Sequence, residues 1–348
     1  QCYNEGIMSK KIIAKLFRLA SDQEARELVI ESWPEKLALD YCWPDGRRQS
    51  LTLPKKLESD LMLNLRQLLK MAPDELTWKK YAKISDKNGV NTFYITILPG
   101  KYGEKIVISL VRKEPRSLSL KQLGWQSEDR RLVEKALKSK AGLILISGPI
   151  LSGKSTTLYS LLRTLNSPRL NIYLLEKERE EEIPGVNSLL KKAANWEKVL
   201  SHDSEIIAAE LEDRVDFLNA VRTANSGRLV IGVLTANSAI EALAAFLALP
   251  LPLKLKLDNL KLITNQRLAP LKRPLKTRTK NQRRQIAVFE ILTLSPGLKK
   301  FLSQKFPDDP AAVPASFWPK LEAKAIKEGF RPLAVDLKRK IKDGLLAT

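Results

Sequence analysis

Cysteine and histidine are almost missing from this sequence: Cys2 and Cys42 are the only cysteines and His202 the only histidine. That scarcity excludes a disulfide framework and a Cys/His zinc site, and it fits a reducing, cytoplasmic compartment. Long apolar runs are missing too. The strongest candidate, Ala239 to Leu253, carries Glu241 and is broken by Pro250 and Pro252, so it falls short of the roughly 18–20 apolar residues of a membrane span. No transmembrane segment is expected, and that stretch reads as a packed helix followed by a turn. The N-terminal stretch is basic, without a sustained apolar segment or a small-residue cleavage site, and reads as a tail or short helix over residues 1–20. Acidic residues are in deficit, 39 against 60 Lys and Arg, for a formal net charge of +21. This surplus favours anionic partners, whether nucleic acid, phospholipid or an acidic protein face, without choosing among them.

What is present is organised around GPILSGKS, Gly148 to Ser155, which matches the phosphate-binding pattern G-x-x-x-x-G-K-S/T. A loop that wraps a triphosphate needs backbone N–H groups converging on oxygens, and Gly148 and Gly153 permit the backbone angles and close approach this requires. Lys154 supplies a point charge for the β- and γ-phosphates, and the Ser155 hydroxyl a ligand for Mg²⁺. The flanks have the required order: GLILIS (Gly142 to Ser147) suits a buried strand, and KSTTLYSLLRTL is amphipathic at helical spacing. The expected nucleotide-binding set is Gly148, Pro149, Ser152, Gly153, Lys154, Ser155 and Thr156.

The 348 residues, 44% of them hydrophobic, hold material for two domains. Two strands are expected between Leu28 and Asp45, a helix over Leu53 to Met71, and strands at Thr92 to Leu98 and Lys105 to Val111, giving a small α+β domain over 21–112. After a Pro115-containing linker, strands at Leu170, Glu205 and Arg228 alternate with helices, which argues for a mainly parallel sheet covered on both faces. Long helices follow Leu298, and no internal repeat is seen. The basic run from Leu253 to Arg284, with Asp258 its only acid, reads as a solvated loop; the tryptophans lack the spacing of a base-stacking platform, so nucleic acid is not the expected partner.

Several motifs, in order, resemble the hexameric ATPases of type II secretion and type IV pilus assembly over roughly Ala25 to Thr348. ILPGKYGEKIVISLV is similar to a segment of the family's small domain, and SGPILSGKSTTLYSLL to its glycine loop. NIYLLEKEREEEIPGVN resembles the acidic box, DSEIIAAELED the Walker B segment, and SGRLVIGVLTAN the histidine box. ITNQRLA and QIAVFEIL resemble the motifs that close the domain. The resemblance implies an α/β chain: a RecA-like P-loop NTPase domain with a mainly parallel sheet over 113–348, preceded by the small domain. It further implies ATP and Mg²⁺ as ligands, a homo- or hetero-hexamer, and an inner-membrane platform protein as partner, with the chain cytoplasmic and peripheral to the membrane.

The departures from the family pattern are informative. In the acidic box Glu176 keeps the first carboxylate, while Lys177 replaces an aspartate and Glu178 a proline. A one-residue gap puts Glu210 on the Walker B glutamate; without the gap Leu211 would stand there. Glu212 takes the place of an arginine, Arg228 and Thr235 occupy the histidine-box positions, Tyr94 and Ser109 stand where small-domain arginines would reach the phosphates, and the four zinc-binding cysteines are absent. The resemblance implies Glu210 and Glu176 as catalytic carboxylates, with Ser155 and Glu210 at the Mg²⁺ through the nucleotide, and no zinc. Lys177 beside that site would oppose divalent cation binding or else neutralise phosphate charge. A slow ATPase that drives assembly or secretion is expected; a nucleotide-binding scaffold of the same assembly and a basic nucleic-acid-binding NTPase are the competing readings.

Overall fold

The computed structural model describes residues 12–20, 22, 25, 27–43, 47–72, 77–86, 89–111, 118–177, 181–191, 193–276, 282–307 and 309–346. The chain divides into two compact units, Gln1–Glu114 and Pro115–Thr348.

The first unit is an antiparallel sheet with helices against it. Its strands β1 (Glu27–Ser32), β2 (Lys36–Cys42), β3 (Arg48–Pro54), β4 (Thr77–Asp86), β5 (Gly89–Gly100) and β6 (Gly103–Val111) lie in the order β3-β2-β1-β6-β5-β4. Alternation sets the faces: Leu28 and Ile30 of β1, Leu37, Leu39 and Tyr41 of β2, and Ile106 and Ile108 of β6 point inward. Helix α1, over 12–20, adds Ile13, Leu16, Phe17 and Ala20 to that core, and α2 (Glu58–Leu69) adds Leu61, Met62, Leu65 and Leu69. The helix expected from Leu53 starts later. Residues up to Pro54 pair with β2, because the residue before a proline is pushed to extended angles, and a 3₁₀ turn over Lys55–Leu57 leads into α2.

The second unit has a seven-stranded sheet in the order β13-β12-β7-β11-β10-β8-β9, parallel throughout except for the β12–β13 pair. The strands are β7 (Gly142–Gly148), β8 (Ile172–Glu176), β9 (Val186–Leu190), β10 (Ile206–Glu210), β11 (Leu229–Thr235), β12 (Leu260–Lys276) and β13 (Gln282–Leu292). β7 is apolar and buried along its whole length because helices cover both faces. Leu143 and Leu145 face one core, built with α6 (Ala193–Leu200), α7 (Arg214–Asn225), α8 (Ala239–Leu247), α9 (Leu253–Asn259), α10 (Pro296–Lys305) and α11 (Phe317–Lys327). Ile144 and Ile146 face the other, with α3 (Leu120–Leu123), α4 (Ser127–Leu137) and α5 (Lys154–Leu165). The last helix, α12 (Leu333–Lys342), packs Leu333, Leu337 and Ile341 near Ile286 and Val288 of β13.

One expectation is corrected here. In its described residues the basic stretch from Leu253 to Arg284 is not a solvated loop: it forms α9, then β12 and the start of β13 at the sheet edge, with 277–281 outside the described residues. Ile263 is paired with Leu145 of β7, and Leu260, Leu262 and Ile263 are buried, so the first half of β12 belongs to the core of the sheet.

Candidate functional site

Parallel strands deliver their C-terminal ends to one edge of a sheet, and the loops leaving that edge form its crevice. β7 ends at Gly148, the loop 149–153 follows, and α5 begins at Lys154. Gly148 has φ +154° and Gly153 φ +86°. A Cβ on Gly148 would lie 2.4 Å from Ser152 Oγ and 2.5 Å from Gln266 O, so the loop closes on itself only with glycine there. Leu151 also has positive φ, at 63°, with its side chain half exposed, and Ile150 beside it is 80% exposed. The first turn of α5 has no side-chain cap, leaving its N–H groups as anion donors at the positive end of the helix. Lys154 Nζ donates to Gly148 O at 2.8 Å and Pro149 O at 2.7 Å, so a phosphate must compete with two carbonyls for it. Pro149, Gly153, Ser155 and Thr156 are partly exposed, while Ser152 is buried and its Oγ has no partner among the described residues.

β12 supports this loop from behind. Gln266 Nε2 donates to Ser152 O at 2.8 Å, and Thr157 Oγ1 donates to Gln266 Oε1 at 2.7 Å. Asn265 Nδ2 donates to Ser147 Oγ and to Ala236 O. Sequence reasoning singled out the ITNQRLA motif without assigning these contacts; its one signal was a pair of amides in the middle of a buried strand, which demands partners.

The two carboxylates lie at the ends of adjacent strands. Leu175 and Ala209 are paired, so Glu176 and Glu210 follow side by side at the same edge, and Glu210 is paired with Val233, which faces Ile146 of β7. They differ in surroundings. Glu176 is buried, its Oε2 accepting from Tyr159 Oη at 2.6 Å and its Oε1 from Ser188 Oγ. Glu210 is half exposed, and the next residue, Leu211, is buried against Gly232.

Lys177 leaves the Glu176 strand end for solvent, where its Nζ lies 3.5 Å from Glu212. Glu212 also meets Lys191, which bridges to the buried Asp216, and Trp196 Nε1 donates to that same aspartate at 3.3 Å. The replaced positions of the acidic box and of Walker B thus touch each other. The two histidine-box positions separate: Thr235 pairs with Gly148 at the loop edge, whereas Arg228 is at the opposite end of β11, bonded to Ser204 O, Leu200 O and Ser226 Oγ. Tyr94 and Ser109 face each other across β5 and β6 of the first unit. His202 is an exposed turn residue, and 178–180 of the acidic cluster lie outside the described residues.

Comparison with known proteins bears on these motifs directly. The family described as "Type II/IV secretion system protein" matches residues 81–295, more than half of the chain. The type II secretion system protein E of Aeromonas hydrophila is 28% identical over 243 residues, 67% of this chain and 48% of that protein. The type IV pilus assembly ATPase PilB of Acinetobacter baylyi is 30% identical over 244 residues, 67% of this chain and 42% of that one. The chain therefore spans about half the length of the curated relatives it matches. Among solved structures, the Legionella pneumophila ATPase DotB superposes with a TM-score of 0.68 at 16% identity, covering 97% of this chain and 93% of that one. The pilus retraction motor PilT with bound ADP gives a TM-score of 0.62 at 19% identity over 96% of this chain and 94% of that one, and both likenesses speak to fold. The RecA-like reading of the fold and the family resemblance both stand, and the chain belongs to the type II/IV secretion system protein family.

Proposed function

We propose that this chain is an ATP-binding motor subunit that powers type IV pilus assembly or type II protein secretion. The observation that carries the reading is the glycine loop from Gly148 to Ser155, held between a central parallel strand and the uncapped N-terminus of α5, with Glu176 and Glu210 ending nearby strands. The donor set suits a triphosphate: glycine at the crowded point, amides at a helix start, one ammonium and a hydroxyl at Ser155. Gly148, Pro149, Ser152, Gly153, Lys154, Ser155 and Thr156 would hold the nucleotide, and Ser155 with Glu210 would face its Mg²⁺. A bound Mg²⁺ supplies charge neutralisation on the phosphate oxygens. Glu210 is the better-placed general base, because it is half exposed at its strand end whereas Glu176 is buried beneath Tyr159 and Ser188. The motor would work in the cytoplasm as a homo- or hetero-hexamer against an inner-membrane platform protein, without zinc.

Turnover is expected to be slow, since Tyr94 and Ser109 cannot supply the positive charge that an arginine contributes to phosphoryl transfer, worth on the order of 10³–10⁵ in rate. A second reading, a nucleotide-binding scaffold with no turnover, is favoured by the closed hydrogen bonding of Glu176. Steady-state phosphate release from the isolated oligomer and from the oligomer with its assembly partners separates the two. Release that disappears in Glu210→Gln supports the motor; release no greater than in Glu210→Gln under every condition supports the scaffold. Absence of ATP binding overturns both.

A further inference from the structure

Behind the glycine loop, residues 264–268 of β12 make a series of contacts. Thr264 O accepts from Ser147 Oγ at 3.2 Å, Asn265 bonds Ser147 and Ala236, Arg267 Nη2 donates to Asn237 O at 3.4 Å, and a Cβ on Gly153 would be 3.4 Å from Leu268 Cδ2. Gln266 is the one that grips the loop at three places. Its carboxamide is buried, it donates to Ser152 O, it accepts from Thr157 in the first turn of α5, and its own carbonyl closes on Gly148.

A trans peptide is planar, so its C=O and N–H point in opposite directions. Holding Ser152 O toward β12 therefore turns the Gly153 N–H away from β12, to the side where the loop opens. Thr157, fixed by the same carboxamide, locks the rotation of the first helical turn and with it the following amides. We propose that Gln266 is a positioning residue of the phosphate-binding loop, setting the direction of the Gly153 N–H and of the first α5 amides before nucleotide arrives. The proposal rests on the reading that this loop binds ATP.

Glutamate at 266 tests it with little change of shape, because a carboxylate still accepts from Thr157 but repels Ser152 O where the amide donated. In the full-length chain, Gln266→Glu should weaken Mg-ATP binding by about tenfold or more, corresponding to about 1.4 kcal/mol. Thr157→Val should weaken it several-fold, and Thr157→Ser should restore parent affinity. Without nucleotide, amide hydrogen exchange over 152–157 should be faster in Gln266→Glu and in Thr157→Val than in the parent, with the rest of the second unit unchanged. Parent-like affinity in both Gln266→Glu and Thr157→Val, or parent-like exchange at 152–157 in both, would overturn the proposal. Should Gln266→Glu fail to fold, the Thr157 pair decides by the same readouts. A parent that does not bind ATP sinks the nucleotide reading alone, and the exchange rates then decide the positioning role.

Discussion

The β12–β13 hairpin is held at two places within the second unit, and the two are built from opposite materials. At the loop side the buried partners are neutral: Ser147, Ser152, Thr157, Thr264, Asn265 and Gln266, with Ser152 Oγ, Thr264 Oγ1 and Asn265 Oδ1 buried without a partner among the described residues. On the α12 side the partners are charged and saturated. Asp336 accepts from Lys340 Nζ at 2.6 Å, Phe289 N at 2.9 Å and Arg339 Nη2 at 2.8 Å; Lys340 also donates to Ala287 O, and Arg331 bridges to Glu128 and Asp129 of α4. Glu290 joins in, accepting the first N–H groups of α8 and α12. Breaking a buried ion pair leaves a stranded charge and costs about 3–5 kcal/mol, whereas a neutral hydrogen bond contributes about 1 kcal/mol net. The charged side ties α12 to β13; the neutral side keeps spare hydrogen-bonding capacity next to the loop that, under the proposed function, would change partners as a phosphate took Lys154.

Lys340→Met is the largest expected break in that comparison. It should lower the unfolding free energy of the second unit by about 3 kcal/mol, read from the denaturant midpoint, and leave ATP affinity of the folded protein within a factor of two or so. It should also move the acid limit of stability. Burial alone would push Asp336 up, but the Lys340 ammonium, the Phe289 N–H and Arg339 together outweigh it and hold its carboxyl below the ordinary carboxylate range. A carboxylate with a lowered folded value stabilises above its unfolded value, and that stability is lost as pH falls through the folded one. Without Lys340 the folded value rises, so the acid unfolding midpoint should lie at higher pH than in the parent.

Lys154→Ala probes the other side and should invert the pattern. ATP affinity should fall by about ten- to a hundredfold, matching the loss of a charge-assisted contact of about 1.5–3 kcal/mol, while the denaturant midpoint barely moves. A variant that binds ATP like the parent would remove the loop from the function.

The contrast also explains what could be read from sequence. Runs such as GLILIS and EIIAA identify buried parallel strands from their residues alone, and with them the edge where Gly148, Glu176 and Glu210 end up. The strand β3 was hidden because its residues are mostly exposed, and its apolar alternation is confined to Leu51 and Leu53. β12 was hidden for another reason: Lys and Arg on its outer positions, with Pro270 and Pro274, look like loop, and pairing with β13 shifts register between Pro270 and Leu275 to accommodate them. The Gln266 grip and the Lys177–Glu212 contact join residues distant in sequence, and no spacing rule reaches that far. Motifs placed the carboxylates at strand ends; only coordinates show that Glu176 is closed by Tyr159 and Ser188 while Glu210 is half exposed.

A smaller effect is expected at Leu151, where strain sits in the loop itself. A non-glycine residue in the left-handed region costs about 1–2 kcal/mol. Glycine there relieves it but adds about 0.5–1 kcal/mol of unfolded-chain freedom. Leu151→Gly should therefore stabilise the second unit by about 0–1.5 kcal/mol, visible as a modest rise in the denaturant midpoint; a fall would mean that the half-exposed side chain contributes packing that outweighs its backbone strain.

The smallest effect concerns Lys177, and it tests one of the roles open from sequence, neutralisation of phosphate charge, against the contact with Glu212 that the structure shows. If Lys177 neutralised phosphate charge, Lys177→Ala would weaken ATP binding whether or not Glu212 is present. Its Nζ instead lies 3.5 Å from Glu212, and both side chains are about half exposed or more, at 67% and 47%. Exposed pairs contribute about 0–1 kcal/mol and are screened by salt. Glu212 also meets Lys191, so losing Lys177 leaves it paired. The expected double-mutant cycle of Lys177→Ala and Glu212→Ala on unfolding free energy therefore gives a coupling below about 1 kcal/mol that shrinks further in high salt. Each single variant should bind Mg-ATP within about twofold of the parent. A drop in affinity that appears in Lys177→Ala, persists in the double variant and scales with nucleotide charge from ADP to ATP would place the ammonium on the phosphates, and the lysine would then belong to the loop side of the comparison, beside Lys154.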